Sequence, residues 1–101
     1  MTASASPFNI STSLRVPGLG VLVLPAAPLP SWLGTLPLQT TLAMQLRRPG
    51  QPPLALYATI EEVTHAPHKP TRVLLLDADP GSELPEGSWL ILESVAENEF
   101  L

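Results

Sequence analysis

The chain has 101 residues, 45% of them hydrophobic and 14% charged; this suits one small domain with its own core and excludes a second domain or a largely disordered chain. Net charge is −4 with five basic residues, of which only Arg47 and Arg48 adjoin, so the basic face that nucleic acid requires is not expected. Cysteine is absent, which excludes disulfides, cysteine-ligated zinc and thiol catalysis.

Residues 1–6 are small and polar and read as a flexible N-terminus. They lack the basic end and apolar stretch of a signal peptide. From Phe8 the residues alternate, with Phe8, Ile10, Thr12 and Leu14 on one face, the period of a strand. Pro17-Gly18 then predicts a type II turn, and Val21 to Pro25 a second strand, buried on both sides or crossing a barrel wall. The segment from Ala26 to Pro37 holds three prolines and a glycine, which forbid a long helix. One short helical turn near Ser31 fits, with serine able to cap it.

Leu38 to Arg47 predicts the clearest strand. Leu38, Thr40, Leu42, Met44 and Leu46 point one way, and Gln39, Thr41, Ala43, Gln45 and Arg47 the other. Pro49-Gly50 predicts a hairpin turn into Leu54 to His65. There Leu54, Leu56, Ala58 and Ile60 share a face, and the phase slips at Glu61-Glu62. A bulge would explain the slip; a short helix over 59–63 is the weaker competitor. Arg72 to Ala78 and Ser88 to Ser94 read as two further apolar strands, separated by a loop dense in turn residues. In "LPEGSWLILES" (Leu84 to Ser94) the Pro-Glu-Gly turn lifts the chain into the last strand, and Trp89 is expected in the core.

Six short strands, turn signals at nearly every break and no amphipathic helix predict an all-β fold. The expected form is a small closed or partly open six-stranded β-barrel, of Greek-key or meander type, with a Pro-rich loop. Residues 7–94 form the domain and 95–101 an acidic C-terminal tail. The longest apolar stretch, from Val21, is broken by prolines and too short to span a bilayer as a helix. No membrane association and a cytoplasmic location are expected.

No motif points to chemistry. His65 and His68 stand three apart, but Pro67 and Pro70 make that stretch a loop, and no third ligand is near in sequence. Asp77, Asp79, Glu83 and Glu86 lack the acid spacing of an EF-hand. No serine occupies a G-x-S-x-G elbow, and neither a P-loop nor G-x-G-x-x-G occurs. No catalytic, metal or cofactor-binding residue is therefore assigned, and no cofactor is expected. Trp32 lies in the Pro-rich loop, where it can anchor a partner or plug a barrel end. Trp32 and Leu33 are taken as the candidate partner contact.

Two stretches resemble known families. "PFNISTSLRVPGLGVLVLP" (Pro7 to Pro25) resembles the opening strand, glycine turn and second strand of the β-barrel second domain of translation GTPases such as elongation factor Tu. "LPEGSWLIL" is similar to that family's apolar residue, glycine and strand. The likeness spans roughly Pro7 to Leu92. Where the family has Gly-Arg-Gly, this chain has Gly18-Leu19-Gly20. The resemblance implies a barrel that contacts other macromolecules, and no nucleotide hydrolysis, since a GTPase domain is not in this sequence. Its ribosome and RNA contacts are not carried over to so few basic residues. "LLLDADPGSELPEGSWLILES" (Leu74 to Ser94) looks like segments of phage-type baseplate assembly proteins. The expectation is a non-enzymatic protein-binding or adaptor module whose partner is another protein, with homo-oligomers admitted. The alternative is a structural component of a phage-tail or contractile-injection baseplate.

Overall fold

The computed structural model describes residues 6–64, 69–77 and 84–95. Its elements in chain order are β1 (Phe8–Val16), β2 (Gly20–Pro25), α1 (Ser31–Thr35), β3 (Thr41–Arg47), β4 (Leu54–Val63), β5 (Thr71–Leu76) and β6 (Trp89–Val95). The six strands close into an antiparallel barrel in the spatial order β1-β2-β5-β4-β3-β6. β3, β4 and β5 form a meander, and β6 returns beside β3, which makes the topology a Greek key. Closure removes the long open edges that a flat sheet of this size would present.

Turn chemistry sets the hairpins. Val16 O accepts the Leu19 N–H (3.0 Å) around Pro17-Gly18, and Arg48 O accepts the Gln51 N–H (3.1 Å) around Pro49-Gly50. Gly18 and Gly50 have φ of +80° and +73°, the left-handed region that the third position of a type II turn requires. Gly20 is fixed by contact instead: a Cβ there would lie 1.9 Å from the Leu76 carbonyl oxygen, so only glycine lets β2 approach the end of β5.

Inward positions of each strand fill the barrel. Phe8, Val23, Leu42, Met44, Leu46, Ile60, Leu74, Leu76 and Leu90 are fully buried and belong to one core cluster. Each such side chain stabilises the fold by about 1.5–3 kcal/mol relative to its exposed state. Alternation in β3 is regular, with Leu42, Met44 and Leu46 inside, as its sequence period requires.

The structure corrects the period elsewhere. Register shifts between Ile10 and Thr12 in the β1–β2 pair; Ser11 is the extra residue, and the phase beyond it flips, so Leu14 is 59% exposed. β3 begins at Thr41 and not at Leu38, because Gln39 takes φ +71°, and Leu38 stands exposed. The bulge expected after Ile60 is absent: β4 and β5 stay in one register from Ala58↔Leu76 to Val63↔Thr71. The apolar pattern stops there because β3 stops. Pairing of β3 with β4 ends at Thr41↔Thr59, and Glu61 to Val63 run past the rim beside β5 alone. β6 extends to Val95, one residue into the expected tail.

Candidate protein-binding surface

The connection from β2 to β3 crosses the end of the barrel, and its apolar residues must cover the open core there. Pro30 occupies the N-cap position of α1, which has no side-chain cap bond; serine is the first helical residue and not the cap. The Leu33 N–H donates to Pro30 O (3.1 Å) and the Leu36 N–H to Trp32 O (3.1 Å). A five-residue helix is too short to persist through its own hydrogen bonds, so its packing holds it in place.

That packing is carried by the residues expected at the surface. Trp32 is 9% and Leu33 3% exposed, and both belong to the core cluster. The Trp32 indole lies with its centroid 6.3 Å from that of Phe8, tilted by 32°. Its Nε1–H donates to Ser6 O (2.9 Å), giving the buried indole the partner it needs. Of the two roles open to Trp32, the structure has the plug, and an exposed anchor at Trp32 and Leu33 is corrected. Trp89 is corrected in the opposite sense. It is half-buried, pairs with Asn9 and Arg47 across the sheet, and leaves the core position to Leu90.

Arg72 completes the plug. Its position on β5 is in phase with Leu74 and Leu76, pointing toward the barrel end. Its Nη1 donates to Leu33 O (3.3 Å) and to Leu36 O. A guanidinium at the C-terminal carbonyls of a helix satisfies acceptors that the helix cannot and opposes its dipole. The sequence held a signal for this: one arginine at an inward phase of an apolar strand must find acceptors.

Between α1 and the start of β5 lies a groove of about 430 Å³, walled by Leu29, Pro30, Leu33, Gly34, Pro70 and Arg72, among others. Leu29 is 59% exposed. Space beside Gly34 is open, with nothing within 4 Å of where a Cβ would stand. The groove's floor is rigid, since Leu33 belongs to the core and Arg72 is hydrogen-bonded to α1.

Sequence candidates for chemistry do not converge. His65, His68, Asp79 and Glu83 lie outside the described residues. Asp77 and Glu86 are both exposed. Among the described residues no three histidine, cysteine or acidic side chains are grouped to hold a metal. No helix among them is long and apolar enough to cross a membrane. The class the geometry defines is a six-stranded Greek-key barrel with one end plugged by a short helix. No family model matches this chain, and neither a curated protein nor a solved structure does.

Proposed function

We propose that this barrel is a non-enzymatic protein-binding or adaptor module of the cytoplasm, which takes an apolar segment of a partner protein in the groove between α1 and β5. The likeness to the barrel of translation GTPases is part of the reading and rests on Pro7 to Pro25 and Leu84 to Leu92, with Gly18-Leu19-Gly20 departing from the family's Gly-Arg-Gly. The observation that supports it most is the groove itself: an exposed Leu29 and an open flank at Gly34 over a floor locked into the core. Apolar side chains held over a rigid floor bind with little ordering cost.

The test is an affinity capture from a lysate of the source organism, with wild type and Leu29→Glu compared and bound proteins identified by mass spectrometry. Leu29 contributes little to the core, so the variant should keep its melting temperature. A defined partner held by wild type and lost from Leu29→Glu is expected. Equal capture by both proteins, or none by either, overturns the reading.

A further inference from the structure

We propose a second contact, independent of the groove: the barrel wall beside Tyr57 receives an arginine side chain from an extended segment of a partner protein. This wall lies past the far end of β5, which meets the α1 plug at Arg72 and ends at Leu76.

The site arises from register. Tyr57 points outward on β4 and is 54% exposed, and its cross-strand neighbours decide how much of the ring they can cover. Here the residue directly opposite is Ala43, and the preceding outward residue on β4 is Ala55. Two small side chains leave a depression of about 330 Å³ lined by Ala43, Ala55, Tyr57, Asp77 and Glu93, with Met44 and Leu56 beneath.

Both carboxylates are brought there by backbone devices. β6 steps two residues while β3 steps one, from Met44↔Leu92 to Ala43↔Ser94, so Glu93 is the bulged residue. Bulges re-aim a side chain that regular pleating would direct elsewhere, and this one sets Glu93 on the lining of the depression. Asp77 is clasped at the end of β5: its N–H donates to Tyr57 O (3.0 Å), and its Oδ1 accepts the Tyr57 N–H (3.3 Å).

An exposed phenol ring and two carboxylates that line one depression, with two alanines beside them, have the chemistry of a guanidinium receptor. A planar cation lies flat on the ring while its edge N–H groups reach carboxylate oxygens. Lysine fits less well, because its ammonium is compact, strongly hydrated and unable to stack. The protein's net charge of −4 favours the approach of such a segment.

The experiment is a ¹H–¹⁵N NMR titration at low salt with the capped peptide Gly-Ser-Arg-Ser-Gly, and with counterparts carrying lysine or glutamine at the centre. Saturable shifts confined to the amides around Ala43, Ala55, Tyr57, Asp77 and Glu93 are expected. The arginine peptide should bind about three- to fivefold more tightly than the lysine peptide. Glu93→Gln should weaken it by a similar factor, and Tyr57→Leu should abolish the preference for arginine over lysine. Both substituted side chains are exposed, and Glu93→Gln alone decides the matter if Tyr57→Leu fails to fold. Equal binding of arginine and lysine, shifts scattered over acidic residues elsewhere, or no saturable shift overturns the proposal.

Discussion

Residues 26–40 and the β3–β4 hairpin build the same core by opposite means. The hairpin does so by repetition: Leu42, Met44 and Leu46 face Ala58, Leu56 and Leu54 in a strict register. Every inward residue is held by neighbours of the same kind. The connection has no repeat. It brings one indole, one leucine and a short helix to the barrel end, and holds them with single bonds from Trp32 to Ser6 and from Arg72 to two carbonyls. The irregular end therefore hangs on a few single contacts, while the regular wall is held by a repeated one. Regularity also frees the outer face of the wall for contacts such as the one at Tyr57.

The two tryptophans give the largest test of this contrast. Trp32→Ala removes the plug from a buried site and should cost about 3–5 kcal/mol. Trp89→Ala removes a half-buried outer side chain from a strand whose inward residues remain, and should cost about 1–2 kcal/mol. Equilibrium denaturation of both variants measures the difference; a larger loss for Trp89→Ala would break the comparison. Arg72→Met comes next. It keeps the aliphatic stem but leaves the Leu33 and Leu36 carbonyls without their donor, a loss of about 1–3 kcal/mol. On the wall, Arg47→Met should stay within about 0.5 kcal/mol. Equal effects from the two arginines would show that Arg72 does not pin α1.

Legibility in the sequence follows the same division. The Pro17-Gly18 and Pro49-Gly50 turns and the alternation of β3 are local properties, and local chemistry is enough to read them. The same period points Leu14 and Leu38 inward, yet both stand outside, because a bulge at Ser11 and a left-handed Gln39 reset the phase. Neither residue type demands that conformation. Gln39 holds it through tertiary bonds: its N–H donates to Ile60 O (2.8 Å), and its amide Nε2 to Glu61 Oε1 (2.5 Å). Burial of Trp32 draws on Phe8 and Ser6, and the hold on Leu33 draws on Arg72, 39 positions away, which no window of sequence brings together. The Tyr57 depression depends on which residue stands opposite it, and register between strands is invisible until the barrel closes.

A small gain in stability is the most telling effect at the plugged end. Gly34 lies within α1, its φ is not in the left-handed region, and no atom stands within 4 Å of a Cβ placed on it. Neither conformation nor packing requires glycine there. Gly34→Ala should therefore stabilise the protein by about 0.5–1 kcal/mol through helix propensity alone, a rise in melting temperature of about 2–8 °C for a domain of this size. A fall would mean that α1 depends on tertiary contacts that a methyl group disturbs. The added methyl also projects into the groove beside Leu29. If melting temperature rises while capture of the partner falls, the glycine keeps the groove open at the expense of the helix, and the irregular end serves binding as well as closure. If it rises and capture is unchanged, the partner rests on the Leu29 wall, and the open flank of α1 has no part in binding.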